Sequence, residues 1–271
     1  RSARSGGRGE RLYLDIRTLQ VATIVVCSVL GPVSLAFSPG QPHMRPCRYW
    51  GAGLVALACG VALVSLRGYA PAFASHVLGL GLVGLALTFA QASAQSAIDA
   101  ARRDMTGWVL LGAYITALVV LYAVPVEAWL RHLATMGMTG FLACRVAYGF
   151  DQGKELREGR ALRMIGIILG LFGVSLVMHG VFMLSQADRG ASSGTEASDA
   201  AMLVGLIAGL LLGTILLLWV VAERIHFRMR QLVSLDRLTG ALNRPALVHC
   251  FERELARSKR RSDSRFGLLL I

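Results

Sequence analysis

The chain has 271 residues, of which 55% are hydrophobic and only 16% are charged. Soluble domains usually carry about 25% charged residues, so this composition excludes an ordinary soluble protein and predicts a mostly α, polytopic transmembrane helical bundle. The formal net charge of +12 comes from basic residues that lie between and after apolar runs, which favours cytoplasmic loops and a lipid bilayer over a nucleic-acid partner.

Residues 1–17 begin with an Arg-, Gly- and Ser-rich segment that is predicted to be disordered. Seven apolar runs follow within a transmembrane sensor region, 18–222, and each approaches the roughly 20 residues that cross a bilayer as a helix. These predicted spans cover residues 18–37, 49–66, 72–90, 107–124, 129–150, 164–184 and 200–222. Between them, the sequence predicts a turn at 67–71 and a flexible linker at 186–199.

The distribution of Lys and Arg predicts the orientation of the spans. The segment 151–163 carries four basic residues and is predicted to be cytoplasmic, whereas the linker 186–199 carries only Arg189 and is predicted to face outward. Alternation then places the C-terminus in the cytoplasm, with the chain in the cell inner membrane. It also places the N-terminus outside, against the five arginines of residues 1–17, so the span count and the N-terminal side stay open.

The cysteines and tryptophans of the apolar runs have structural explanations. The five cysteines show no C-x-x-C spacing and are predicted to be small core residues rather than a disulfide or metal framework. The tryptophans lie near predicted span ends, where interfacial rings anchor helices. They are Trp50, Trp108, Trp129 and Trp219.

Three histidines, His76, His132 and His179, lie within predicted spans. An ionisable residue inside a membrane is a functional hypothesis by default, and two facing histidines are able to hold a haem or a metal ion. The three do not share one helix face at i, i+4 spacing, so histidines that are hydrogen-bonded within the bundle are the more common explanation. Both interpretations stay open.

The seventh run repeats glycine at every fourth residue, at Gly205, Gly209 and Gly213. Glycines at this spacing let another helix approach closely. The partner helix belongs either to the bundle of the same chain or to a second protomer.

A second pattern continues past the membrane into residues 223–235, where Ile225, Arg228, Leu232 and Leu235 follow at spacings of three and four, and Arg228 is the one polar residue among them. This is the seam of a two-stranded coiled coil, so the segment is predicted to be a helical stalk that forms a homodimer. At about 100° per residue, the glycine stripe points away from this seam. The alternative is a lone amphipathic helix that lies on anionic lipid.

Residues 236–271 follow the stalk and begin with the pattern D-x-L-T-G-x-x-N-R. The residues of this pattern that we single out are Asp236, Leu238, Thr239, Gly240, Asn243 and Arg244. Glycine is able to break the preceding helix, and Asn is a favoured N-cap for the next one. An amphipathic helix to about Lys259 and a buried strand at 266–271 are predicted to follow.

This order of elements and this pattern resemble the opening of a GGDEF domain, the catalytic α/β domain of diguanylate cyclases. The resemblance covers about residues 234–271 and implies an enzyme that condenses two GTP molecules into cyclic di-GMP with Mg²⁺, across a dimer. It also implies that the six pattern residues form a signalling hinge, in which Asp236 and Arg244 tie the stalk to the domain. The metal-binding Asp and the G-G-[DE]-E-F loop come later in the family, so this chain is expected to be an inactive fragment without catalytic, cofactor or metal residues of its own.

Two alternatives to a cyclase stay open from the sequence. One is an integral membrane transporter or scaffold whose basic cytoplasmic tail only resembles the hinge. The other is a degenerate GGDEF domain that serves as a nucleotide receptor. The stimulus is not identified by any motif in the chain.

Overall fold

The computed structural model describes residues 15–36, 44–71, 73–98, 105–153, 159–187, 193–232, 239, 241–242 and 244–260. Most of these residues are helical, and no strand occurs among them. Their helices are α1 (Ile16–Ala36), α2 (Arg45–Ser65), α3 (Gly79–Ile98), α4 (Thr106–Ala123), α5 (Ala128–Asp151), α6 (Gly159–Ala187), α7 (Ser193–Leu232) and α8 (Arg244–Arg260). A π-helical segment, Phe73–Leu78, leads directly into α3.

Six helical segments of the described chain are long and apolar enough to cross a membrane, which indicates a multi-pass membrane protein. They are α1, α2, Phe73–Ile98, α4, Gly159–Ser185 and Ser198–His226. The run predicted as a further span, 129–150, is also helical and forms α5. However, α5 is not among the six, because Arg131, His132 and Arg145 make it less apolar. A seventh span therefore stays a prediction.

Several helices extend into segments that the sequence predicted to be loops. α6 begins at Gly159, five residues before the predicted span, and α7 begins at Ser193. The prediction of a flexible linker is therefore wrong for residues 193–199. The predicted turn at 67–71 is present, and Gly68 adopts a φ of 90° there, a value that other residues disfavour.

Trp50 also differs from its predicted interfacial role, because its side chain is buried within the bundle. Only 5% of Trp50 is exposed, and its indole Nε1 donates a hydrogen bond of 3.0 Å to Oγ1 of Thr214 in α7. A buried indole N–H needs such a partner. The other three tryptophans are 42–67% exposed, and their interfacial position stays a prediction.

Neighbouring helices pack most closely where glycines let their backbones touch. An added β-carbon at Gly140 of α5 would lie only 2.7 Å from the carbonyl oxygen of Gly173 in α6, a distance that real β-carbons essentially never show. Two other pairs of helices cross in the same way. They are α1 with α2, at Gly31 and Gly51, and α2 with α3, at Gly60 and Gly79.

A hydrophobic core joins α3, α4 and α5. It is formed by Val77, Leu80, Leu111, Tyr114, Leu118 and Leu142. The phenol of Tyr114 is buried in this core and forms a hydrogen bond of 3.0 Å with Oγ1 of Thr139 in α5, so α4 is tied to α5 by a polar as well as an apolar contact.

The chain divides into two compact units between Val220 and Val221. α7 has 40 residues, and the division between the units falls within it. The second unit also contains α8, on which Leu247, Phe251 and Leu255 form an exposed apolar stripe at i, i+4 and i+8 spacing.

Candidate functional site

An apolar cavity of about 320 Å³ lies inside the first unit, between six of its helices. Side chains of α1, α2, α3, α5, α6 and α7 line it, and most of them are Leu, Val, Ala, Met or Phe. α7 alone contributes Asp199, Met202, Leu203, Leu206 and Leu210. A molecule in this cavity would therefore touch the helix that leads out of the bundle.

A second cavity of about 290 Å³ adjoins the first and is much richer in charged and aromatic groups. Arg67, His76, Tyr122, Arg131 and His132 line this polar cavity. Arg67 and His132 also line the apolar cavity, so the two spaces share one boundary.

The antiparallel order of the helices explains why these polar residues meet. Arg67 follows α2, His76 precedes α3, and Tyr122 lies at the end of α4. Arg131 and His132 lie in the first turns of α5. His179 approaches the end of α6, and Asp199 lies near the start of α7. All of these positions fall at one end of the bundle, which we call the polar end.

Aromatic rings and hydrogen bonds hold the side chains of the polar cavity in place. His76 stacks on Tyr122 with ring centroids 4.7 Å apart, and Nδ1 of His76 is 3.2 Å from the Tyr122 hydroxyl. The guanidinium of Arg131 lies 4.8 Å from the centre of the Tyr122 ring and donates to the Val126 carbonyl at 3.0 Å. A cation over a partly desolvated tyrosine ring is stabilised by the ring quadrupole.

His179 connects α6 to α7 through two polar contacts. Its Nε2 is 3.0 Å from Oδ1 of Asp199, and its Nδ1 is 2.8 Å from Oγ of Ser198. The side chain of His179 is only 3% exposed, whereas that of Asp199 is 39% exposed. His132 of α5 packs edge-to-face on His179, with ring centroids 5.6 Å apart. We call the contact of His179 with Ser198 and Asp199 the α6–α7 clasp.

The polar cavity contains two arginines, Arg67 and Arg131. Asp199 is engaged by His179, whereas within the described part of the chain Arg67 and Arg131 form no ion pair. Desolvation lowers the pKa of the Arg67 guanidinium, and Tyr122 partly offsets this effect. Because Arg67 as a whole is exposed, its guanidinium stays charged at physiological pH.

The structure brings together two of the three histidines that the sequence singled out. His132 and His179 are in contact, whereas His76 is held separately on Tyr122. Among the described residues, no group of three or more His, Cys, Asp or Glu side chains is arranged to hold a metal ion. Cys27 and Cys47 are buried core residues as predicted, whereas Cys59 is exposed, so the prediction is wrong for that cysteine. Two of the three histidines thus have the hydrogen-bonding role that their sequence context favoured.

The three glycines of α7 have different surroundings. An added β-carbon at Gly213 would lie 3.1 Å from the Trp50 ring of α2, and one at Gly209 would lie 3.2 Å from Ile168 of α6. A β-carbon at Gly205 would meet nothing within 4 Å. Two glycines therefore face side chains of the chain's own bundle, and the third faces away from it.

The residues predicted for the stalk and hinge are described only in part. Ile225 and Leu232 lie on α7, and Ile225 is half-buried. Thr239 Oγ1 accepts a hydrogen bond of 3.4 Å from the Ala241 amide, and α8 begins at Arg244. The other predicted positions lie outside the described residues. They are Leu235, Asp236, Leu238, Gly240 and Asn243, together with the strand predicted at 266–271.

Sequence reasoning missed the polar residues that surround the histidines. Arg67, Tyr122 and Arg131 were not singled out, and Asp199 was placed in a linker. The sequence did contain a signal for a polar site. Arg131 and His132 are adjacent within an apolar run, and charged residues inside a membrane segment face a cavity or a partner.

No protein-family model matches the chain, and no curated protein or solved structure matches it either.

Proposed function

We propose that this chain is the membrane sensor region and the beginning of the catalytic domain of a diguanylate cyclase. The observation that carries this proposal is the D-x-L-T-G-x-x-N-R pattern of residues 236–244, which follows directly on the last membrane helix. The complete protein would condense two GTP molecules into cyclic di-GMP with Mg²⁺. It would do so as a homodimer that is paired through the end of α7.

The described elements around the pattern are compatible with this assignment. A long helix ends at Leu232, a turn includes Thr239 and Ala241, and a second helix begins at Arg244. Pro245 is the second residue of that helix, and proline is tolerated in the first helical turn. Helix, turn and amphipathic helix is the order that the resemblance implies.

The exposed stripe of α8 gives a second line of support. Leu247, Phe251 and Leu255 are each between 37% and 43% exposed, although they lie on one face of the helix. A helix of an α/β domain uses such a face to pack on a sheet. The stripe is therefore the surface on which we expect the catalytic sheet to pack.

The same proposal includes α5 as a seventh crossing, with the C-terminus in the cytoplasm. α5 packs antiparallel along α6, since Gly140 meets Gly173 and His132 meets His179. A 24-residue helix in this arrangement extends over most of the depth that α6 crosses. Its charged first turns line the polar cavity, which explains its lower hydropathy. The polar end then faces outward.

Signalling would run through α7. Its first turns take part in the α6–α7 clasp, its middle lines the apolar cavity, and its last turns lie beyond the membrane segment. A change at the polar end that moves α7 would alter the approach of two catalytic domains. A stimulus can shift α7 between two positions only if it binds one of these positions more tightly than the other.

The test is to read the gene beyond Ile271 and to assay its complete product. We expect an Asp directly after this residue and a G-G-[DE]-E-F motif some tens of residues later. Membranes that contain the complete protein should then convert GTP to cyclic di-GMP when Mg²⁺ is present. As a control, replacement of the two motif glycines by alanine should abolish product formation.

Two results would contradict the cyclase. If the gene continues without these acidic residues, the transporter or scaffold interpretation is favoured. If the motif is altered, and the complete protein binds GTP without forming cyclic di-GMP, the chain belongs to a nucleotide receptor.

A further inference from the structure

We propose that the paired cavities of the first unit bind an amphiphile that has one anionic headgroup and a short apolar tail. This inference goes beyond the proposed function and does not depend on it. It concerns only described residues of the membrane bundle.

The shape of the site matches a ligand with two chemically different parts. The apolar cavity is lined almost entirely by hydrocarbon, so an apolar tail gains free energy by filling it. Its volume of about 320 Å³ lies near the lower limit for ligand pockets, which favours one short chain over a two-chain lipid body. The polar cavity opens from the same boundary and offers charged groups.

The charges at that boundary select an anion. Arg67 lines both cavities, Arg131 lines the polar one, and neither forms an ion pair in the described chain. Asp199, which also lines the apolar cavity, is already engaged by His179. Arginine presents a planar fork of donors that matches carboxylate and phosphate oxygens. A cationic headgroup would meet two positive charges here.

Two polar atoms at the same place lack hydrogen-bond partners. Nε of Arg131 and Nε2 of His132 are buried, and neither is hydrogen-bonded within the described part of the chain. Buried donors and acceptors without partners destabilise a fold, and native proteins contain few of them. An anionic headgroup would accept a hydrogen bond from Nε of Arg131, and from Nε2 of His132 in the tautomer that carries its proton there, after a small rearrangement of these side chains. The polar end therefore has nitrogen atoms available for hydrogen bonds to a ligand.

The probe for the test is dodecanoate, added to the purified 271-residue chain in nanodiscs of zwitterionic lipid. We expect saturable binding, measured by displacement of a fluorescent fatty acid. Dodecanol has the same tail without the charge and should bind at least about tenfold more weakly, the effect of losing a charge-assisted hydrogen bond. Dodecyltrimethylammonium should not displace the probe at all.

Two pairs of variants locate the site. Arg67→Gln should lower the affinity for dodecanoate by about tenfold or more, whereas Arg48→Gln, an exposed arginine near the other end of the bundle, should leave it unchanged. Leu203→Trp fills the apolar cavity and should abolish binding. Leu212→Trp places the same ring on the opposite, exposed face of α7 and should not.

A further arm identifies the source of the anionic group. A single-chain anionic lysophospholipid in the nanodisc should compete with dodecanoate if the natural ligand is a lipid of the bilayer, and should leave binding unchanged if it is a free carboxylate. The proposal is overturned if dodecanol binds as tightly as dodecanoate, or if Arg67→Gln and Arg48→Gln behave alike. Since Arg67→Gln alters only a polar group at the cavity edge, this outcome stands even if Leu203→Trp does not fold.

Discussion

The α5–α6 pair and α7 are held in the bundle in different ways. At the crossing of α5 and α6, the backbones meet at Gly140 and Gly173, with no room for even a methyl group between them. α7 instead meets its neighbours through side chains, through the Trp50–Thr214 hydrogen bond and the α6–α7 clasp. A cavity separates much of α7 from the other helices.

This difference separates a rigid part of the bundle from a part that is able to move. Backbone contacts in a close-packed interface have few alternative arrangements, whereas side chains at the edge of a cavity have several rotamers. A sensor needs an element with two arrangements that differ by only a few kcal/mol. The side-chain contacts and the cavity beside α7 permit a second arrangement, whereas the backbone contact of α5 and α6 does not.

The substitution with the largest expected effect tests the backbone contact between α5 and α6. Gly140→Leu should lower the thermal stability of the purified chain severely, at or above the upper end of the roughly 1–3 kcal/mol typical of overpacking. Its β-carbon would collide with a backbone carbonyl that is unable to move aside. The control is Gly137→Leu, on the same helix, where an added β-carbon meets nothing within 4 Å. Equal melting temperatures for the two variants would contradict the rigid crossing.

The next effect concerns the hydrogen bond that holds the middle of α7. Thr214→Val keeps the shape of the side chain and leaves Nε1 of the buried Trp50 without its acceptor. The expected cost is about 1–3 kcal/mol, the penalty for an unsatisfied buried donor. Thr116→Val removes a hydroxyl that bonds only to its own helix and should have little effect in the same unfolding assay. If Thr214→Val and Thr116→Val change the free energy of unfolding equally, the hydrogen bond from Trp50 to α7 does not stabilise the bundle.

The α6–α7 clasp should contribute less, because Asp199 is partly exposed. Asp199→Asn replaces the carboxylate that contacts Nε2 of His179 by a neutral amide, and we expect a loss of about 1 kcal/mol. Asp151→Asn is the matched control, because its pair with Arg163 is more exposed on both sides and should contribute less. Chemical unfolding in detergent compares the two. A larger loss for Asp151→Asn would contradict the role of the clasp.

The smallest effects distinguish the glycines of α7. Gly205→Ala should not destabilise the monomer, since its β-carbon meets open space and alanine favours helix by up to about 1 kcal/mol. Gly213→Ala brings a methyl group to 3.1 Å from the Trp50 ring and should remove that gain. Unfolding of the detergent-solubilised monomer measures both. If Gly205→Ala instead reduces dimer formation in cross-linking, Gly205 lies at the contact between protomers.

The helices were predictable from the sequence, whereas the site was not. Apolar runs near the length of a bilayer locate helices, because only a helix satisfies its backbone within lipid. The polar end arises from helices that are distant in sequence, such as α2, α4 and α7, so no local pattern reports it. His179 was noticed for its position in a span, but its partner Asp199 lies in a segment whose composition resembled a loop.

The spacing of the glycines indicated that another helix packs closely against them, but it did not indicate which helix. The stripe of Gly205, Gly209 and Gly213 was noted first, although the backbone contacts of the described chain involve glycines of other helices, such as Gly140 and Gly173. A crossing needs one glycine from each of two helices, and that pairing depends on the tertiary fold. The hinge pattern was readable only through its resemblance to a family.

The most direct test of the account is whether the apolar cavity controls the proposed cyclase activity of the complete protein. Membranes that contain the complete protein would be supplied with GTP and Mg²⁺, and the rate of cyclic di-GMP formation would be measured for wild type, Leu203→Trp and Leu212→Trp. We predict that filling the cavity with Leu203→Trp changes the rate by about fivefold or more, the effect of roughly 1 kcal/mol of coupling, while Leu212→Trp leaves it unchanged. Three equal rates would contradict transmission through α7, and no cyclic di-GMP from any of them would contradict the cyclase itself.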